Sequence, residues 1–537
     1  MQMETRRKFS SYGPVDTEMN YFVPRTELID KIVQQLIGEN PNKNGHYFTV
    51  WAPRQTGKTW AIIHSRARIS KDPRFYAVFD ILQTPGVGDD PVTTANHILK
   101  AIADATGLKL PVVNSEKEFQ EVFRKDYFDR PVILVLDEFD CLAENTINKI
   151  VGVFRDMHIH RNSEIDKNAF NKTYLLHGVA LIGVRSVLGI DSKKGSPFNI
   201  QKSIHIPNLT FDEVKVMFDD YQREWGQKID DDVVERLFYE TNGQPGLVSW
   251  FGELMVEKYN KNYPQTIEMK NWKEVFLMGS QAEPNNTIMN LISKAREPEY
   301  REILTELFDT VRKTDFSFDN LQLNYLYMNG IILFEHSEED IGKLYAKFSS
   351  PFVQKRLFNR FADELYPNMG QIIKPFENID HIYNGKTINI QNLLRRFEQY
   401  LRQNKTWLLN LAPRRKADLQ IFEAAYHFIL YGWLSRFLYQ IASVIPEFPT
   451  GNGKIDILIR KENDLYGIEV KSFSNTYLLQ KGIKQAAIYA TRLSLSEIVL
   501  AIFIESINAE NRTQHEKEHL DETTNVKVFP QFIAVNE

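Results

Sequence analysis

Tyr47 to Thr59 reads YFTVWAPRQTGKT, and this stretch decides the fold of the first half of the chain. An apolar, β-rich run (Tyr47, Phe48, Val50, Trp51) enters a loop from Ala52 to Thr59. A helical pattern follows through Ala61, Ile62, Ile63, Ala67 and Ile69. Strand, tight loop and helix in that order make a phosphate-binding loop, because backbone N–H groups of the loop and of the helix N-terminus converge on one anion. Arg54, Gln55 and Thr56 supply such groups, Gly57 lets the backbone approach closely, Lys58 adds positive charge, and the Thr59 hydroxyl can join the coordination of Mg²⁺. Ala52 stands where the usual pattern, G-x-x-x-x-G-K-[ST], has its first glycine, and a residue this small still permits the turn.

An ordinary strand and helix joined by a Gly-Lys-Thr turn would read the same in isolation. A second motif argues against that. Pro131 to Leu142 reads PVILVLDEFDCL, an apolar run ending in acids, as expected of a buried parallel strand with polar groups at its carboxyl end. Asp137 is expected to hold Mg²⁺ through its water shell, Glu138 to polarise an attacking water, and Asp140 to brace the site. The two motifs together point to binding of a nucleoside triphosphate, ATP, with Mg²⁺.

At 537 residues the chain is too long for one core, and the composition of a globular protein predicts an α/β multidomain architecture. The net charge of -5 excludes a globally basic nucleic-acid binder and leaves that role to local patches. A single cysteine, Cys141, can form no intrachain disulfide, which suits a reducing, cytoplasmic setting; its expected place is a small buried position beside the acids. No apolar run suggests a signal peptide or a membrane span.

Residues 1–20 are polar and expected to be flexible. Residues 21–207 form the nucleotide-binding domain. It begins with YFVPRTEL (Tyr21 to Leu28), an aromatic stretch suited to cover the nucleotide base, and has further strands at Arg74 to Leu82 and Gly178 to Val184. Arg185, at the tip of the latter, is the candidate phosphate sensor. His158 and His160 form a His-x-His pair without a nearby third ligand, so a solvated loop is the simpler reading. Residues 208–295 turn helical, with Gly243, Gln244, Pro245 and Gly246 opening a helix, proline being suited to its first turn. The loop at Lys58, the LVLDEFD strand, the strand ending in Val184 and Arg185, the segment Ser196 to Asn199 and the Gly-Gln-Pro turn together resemble a STAND-type or archaeal-type AAA-like P-loop ATPase of the additional-strand class. That resemblance implies a helical lid whose Pro245 turn senses nucleotide, nucleotide control of assembly or activation, a possible homo-oligomer and an activating protein partner. It also implies a winged helix, fitted by residues 296–360, where the acidic turn HSEEDIG favours a structural arm over a DNA-gripping wing. Residues 361–395 read as a linker.

Residues 396–537 carry a second constellation. Ala417 to Leu438 reads as a long amphipathic helix containing Glu423 and, one turn later, His427. GKIDILIR (Gly453 to Arg460) and LYGIEVKSF (Leu465 to Phe473) flank a short polar turn and predict an antiparallel hairpin. Centring the turn between Glu462 and Asn463 sets Asp456 opposite Glu469, with Lys471 on the same face. Two carboxylates and a lysine on a half-buried face are costly without compensation, and a divalent metal compensates them. This pattern resembles the PD-(D/E)XK restriction-like nucleases, with Ile455 where their proline usually precedes the first acid. The resemblance implies Asp456 and Glu469 as metal ligands for Mg²⁺ or Mn²⁺ and Lys471 as the water-positioning group. Glu423 would complete the shell, and Gln485 and Tyr489 form the Gln-x-x-x-Tyr pair of one subset. Arg414, Arg415, Lys416, Lys481 and Lys484 could contact phosphates. The whole reads as an ATP-regulated nuclease acting on nucleic acid, with DNA expected. The rival is a nucleotide-dependent scaffold or switch that binds nucleic acid without cutting it.

Overall fold

The computed structural model describes residues 6–13, 15–83, 88–183, 203–261, 265–308, 313–337, 342–365, 381–410, 412–414, 421–438, 441–449, 454–462, 464–473 and 476–536. It divides into two compact units, residues 1–287 with 327–330, and residues 288–326 with 331–537.

The first unit is built on five strands: β1 (Tyr47–Trp51), β2 (Tyr76–Ile81), β3 (Val132–Asp137), β4 (Leu176–Gly183) and β5 (Ser203–His205). They form one sheet in the order β2-β3-β4-β1-β5, with every neighbouring pair parallel. Every residue of β1, β3 and β4 is buried, which is why these strands read as unbroken apolar runs rather than as alternating ones. Apolar cores cover both faces, one under the helices Pro91–Thr106 and Glu144–Ser163, the other under Thr26–Ile37 and Lys58–Ile69. Because β4 lies between β1 and β3, the two motif-bearing strands are separated by one strand. This is the strand order expected of the additional-strand class, with both motifs at the carboxyl edge of the sheet. The His158–His160 pair lies within the helix Glu144–Ser163, not in a loop, and His158 packs against the Tyr47 ring at 4.5 Å between centroids.

The helices Phe211–Trp225, Asp231–Thr241 and Pro245–Gly252, in the segment expected as a lid, continue into a wider π-helical turn, Glu253–Tyr259. Residues 6–13, part of the stretch 1–20 expected to be flexible, instead lie on these helices. Phe9 is buried among Tyr21, Phe218 and Tyr221, and Gly252 leaves it room, since a Cβ there would come within 2.5 Å of the Phe9 ring. Arg7 pairs with Asp220 and Glu224, and the Phe9 N–H donates to Glu257 Oε1 at 3.0 Å. Phe9 amid polar neighbours was the trace of this docking in the sequence.

In the second unit β6 (Ile332–His336) and β7 (Leu344–Phe348) form an antiparallel pair flanked by the helices Leu321–Met328 and Pro351–Leu365. The last helix runs into the expected linker, and the helix Ile390–Asn410 begins before that linker was expected to end. The main sheet comprises β8 (Ser443–Pro449), β9 (Lys454–Lys461), β10 (Asp464–Ser472), β11 (Glu497–Ile504), β12 (His519–Asp521) and β13 (Val526–Ala534), in the order β12-β13-β11-β10-β9-β8. β8, β9 and β10 run antiparallel, while β10, β11 and β13 are parallel. The helix Thr476–Arg492 packs through Leu479, Ile483, Ala486 and Ala490 onto β11 and β13. The expected amphipathic helix starts at Glu423 and is buried on nearly all sides, so Glu423 lies inside the unit.

Candidate functional site

In the first unit, Gln55 (φ 57°) and Gly57 (φ 88°) both take left-handed backbone conformations, which bends the loop after β1 into a cradle. A Cβ on Gly57 would meet nothing within 4 Å, so the dihedral rather than space demands glycine there. Lys58 is buried, and its Nζ lies back on the loop, donating to Ala52 O at 2.8 Å and Pro53 O at 2.9 Å. Burial lowers its pKa, against the charges of Glu138, Asp137 and Asp140. Thr59 Oγ1 donates to Asp137 Oδ2 at 2.8 Å, so the hydroxyl and carboxylate expected at Mg²⁺ already meet. Glu138 is left-handed (φ 53°), its N–H donating to Asp137 Oδ1 at 2.9 Å. Asp140 reaches the tip of β4, where a Cβ on Gly183 would come within 2.6 Å of its carboxylate. Arg185 and the Ser196 to Asn199 segment lie outside the described residues. Cys141 is exposed rather than buried, and partial desolvation, then the charges of Glu138 and Asp140, push its thiol up to about 11, which makes it a poor nucleophile at neutral pH.

The lid turn sits directly on this loop. Gln244 caps the helix that Pro245 opens, accepting from the Leu247 N–H at 2.6 Å, while its Nε2 donates to Arg54 O at 3.0 Å. Gly246 N–H donates to Gln55 O at 3.0 Å, and a Cβ on Gly246 would come within 2.7 Å of the Gln55 Cβ. The loop residues expected to cradle phosphates are thus hydrogen-bonded to the residues that open the helix Pro245–Gly252.

In the second unit the hairpin has the expected register, with Lys461 opposite Asp464 and Ile457 opposite Ile468. The ladder ends at that pair, one rung before Asp456 and Glu469. There the ladder gives way to the side chain, as Asp456 Oδ2 takes the Val470 N–H at 2.7 Å. Glu423, Asp456, Glu469 and Lys471 are all buried. Lys471 Nζ stands 3.0 Å from Glu469 Oε1 and 3.5 Å from Glu423 Oε1. Glu423 Oε2 accepts from the Ser472 N–H at 2.8 Å, so Glu423 braces the lysine and its strand, while Asp456 and Glu469 remain the pair suited to a cation. His427 Nε2 lies 2.8 Å from Asp456 O; its spacing of four residues from Glu423 on one helix was the available signal. Burial, then the charge of Asp456, pushes Glu469 up to about 8. Burial works against the Lys471 ammonium, but Glu423, Glu469 and Asp456 outweigh it and hold its pKa well above the usual lysine range. Gln485 Nε2 donates to Tyr489 Oη at 2.7 Å, and the Tyr489 phenol, raised by burial, also feels the charges of Glu469 and Lys471. Glu469 Oε2 is buried with no hydrogen-bond partner among the described residues. A hard cation satisfies such an oxygen, so the donor set fits Mg²⁺ or Mn²⁺.

No family model matches the sequence, and no curated protein matches it. Solved structures similar to this chain include archaeal proteins. The Walker-type ATPase of Pyrococcus abyssi shares 14% identity and a TM-score of 0.41, covering 65% of this chain and 99% of its own. Orc1 of Aeropyrum pernix, solved in complex with DNA, shares 13% identity and a TM-score of 0.34, covering 64% and 94%. Cdc6p of Pyrobaculum aerophilum shares 18% identity and a TM-score of 0.35, covering 66% and 97%.

Arg414 forms a β-bridge with Ile421, while Arg415 and Lys416 lie outside the described residues. No helix among the described residues is long and apolar enough to cross a membrane.

Proposed function

We propose that this chain is an ATP-regulated, divalent-metal-dependent nuclease, with DNA as the expected substrate and with defence against foreign DNA as the setting its two resemblances suit. The observation that carries the nuclease reading is the burial of Asp456, Glu469 and Lys471 together, with Glu469 Oε2 left without a hydrogen bond. A structural ion pair gains nothing from a second, half-satisfied carboxylate in the same pocket. Asp456 and Glu469 would hold the cation, which when bound supplies Lewis acidity at the scissile phosphate and a more acidic attacking water. Lys471, kept cationic by Glu423, orients that water and balances charge developing on the phosphate. Gln485 and Tyr489 steer the lysine or the substrate.

The nucleotide reading rests on the Thr59–Asp137 bond and the Lys58 cradle; Arg54 to Thr59 would bind the phosphates and Glu138 would polarise the attacking water. Because Gln244 and Gly246 hold the same loop, bound triphosphate would reset the lid, which is the regulatory step.

The deciding assay is cleavage of plasmid, linear and single-stranded DNA with Mg²⁺ or Mn²⁺, with and without ATP. Asp456→Ala and Lys471→Ala are expected to abolish cutting while ATP binding persists, and Lys58→Ala to abolish its ATP dependence. Equal cutting by all variants, or DNA binding without cutting under every condition, would overturn the nuclease reading and favour the scaffold.

A further inference from the structure

The helix Thr476–Arg492, TYLLQKGIKQAAIYATR, contains three cationic side chains and no acid. Its buried side, Leu479, Ile483, Ala486 and Ala490, faces the sheet. At 3.6 residues per turn, Tyr477, Lys481, Lys484 and Ile488 share the opposite stripe, with Arg492 beside it. Tyr477 is 75% exposed and Ile488 45%, and Lys481 and Lys484 are exposed as well. Among the described residues neither lysine forms an ion pair or hydrogen bond, and the Arg492 guanidinium lies over the Tyr489 ring, 5.9 Å from its centroid. Gln485 and Tyr489 occupy the boundary between the exposed stripe and the buried side. A molecule lying along the stripe therefore borders the pair that adjoins Lys471 and Glu469.

We propose that this stripe is a track for single-stranded nucleic acid, with an unpaired base stacked on Tyr477 and phosphates held by Lys481, Lys484 and Arg492. The inference rests on the nuclease reading for its location, and it adds the strandedness of the substrate. Three cations on a helix that itself holds no acid match a polyanion, with the Asp521 carboxylate of the neighbouring strand interacting with Lys484. An exposed tyrosine at the end of a cationic stripe matches a base whose face is open; in a duplex those faces are sealed by stacking. From Tyr477 to Ile488 the stripe spans about 16 Å, enough for about four or five stacked nucleotides.

The test is fluorescence anisotropy of the full chain carrying Asp456→Asn, to prevent cutting, with labelled single-stranded DNA, single-stranded RNA and blunt duplex DNA. Single strands are expected to bind more tightly than the duplex, and the DNA and RNA arms tell which sugar is preferred. Tyr477→Ala should weaken single-strand binding about tenfold and Tyr477→Trp should restore it. Lys481→Ala with Lys484→Ala should reduce the slope of log Kd against log salt by about 0.7 for each phosphate that is no longer neutralised. Unchanged affinity in Tyr477→Ala, an unchanged salt slope, or variants that alter only self-association would each overturn the track. Metal-dependent cutting by the unaltered chain judges the nuclease reading separately: track-dependent binding without cutting removes that reading and leaves the track, whereas cutting with binding indifferent to these substitutions removes the track alone.

Discussion

At Glu469 burial and function oppose each other. The carboxyl is held at about 8 against an ordinary 4.5, first by burial and then by Asp456. Below about pH 4.5 it is neutral whether the chain is folded or unfolded; as pH rises, only the unfolded chain ionises freely until the folded group titrates near 8. The second unit should therefore lose stability between those values and level off above them. Glu469→Gln should be more stable than the natural chain at pH 8 in EDTA and equal to it near pH 4, measured by urea denaturation of that unit. Mg²⁺ should stabilise the natural chain at pH 8 and leave the glutamine variant unmoved. At Lys58 the expected effect is on binding: Lys58→Ala removes charge-assisted hydrogen bonds worth about 3 kcal/mol, or about a hundredfold in ATP affinity by calorimetry.

Among elements, the lid turn carries a prediction of its own. Gln244→Ala removes the cap of the helix Pro245–Gly252 and the bond to Arg54 O, so it should destabilise that helix by about 1 kcal/mol. Amide hydrogen exchange should rise at residues 245–252 and in the loop after β1 together; a rise at the helix alone would show that the turn does not hold the loop. This turn was legible in the sequence because proline and glycine mark backbone geometry directly. So were β1, β3 and the β9–β10 hairpin, whose apolar runs and polar turn fix both elements and register. The docking of residues 6–13 was not, since Phe9 is one aromatic side chain whose partners Phe218 and Tyr221 lie more than 200 residues away. Nor was the depth of the helix that starts at Glu423: its spacing reads as amphipathic, and its burial on nearly every side comes from elements distant in sequence. The exposed place of Cys141 was missed for a related reason, because a small side chain after a buried strand says nothing about the turn that carries it away.

For the whole chain, the two candidate sites fall in different compact units: Lys58, Thr59 and Asp137 belong to the first, and Glu423, Asp456, Glu469 and Lys471 to the second. Residues 288–326 and 331–360 group with the second unit, so most of the segment expected as a winged helix, residues 296–360, falls there. A ligand that binds one folded body stabilises that body by mass action, by about 2.7 kcal/mol at a hundred times its Kd. In differential scanning calorimetry the chain should then show two transitions. ATP with Mg²⁺ should raise one of them by about 5 °C, an effect that Lys58→Ala removes. Mg²⁺ or Mn²⁺ without nucleotide should raise the other at pH 8, an effect that Asp456→Ala removes and Lys58→Ala spares. If a single transition responded to both ligands and to both substitutions alike, the units would unfold as one. Regulation would then have to be sought in their shared stability rather than in a lid that answers to nucleotide.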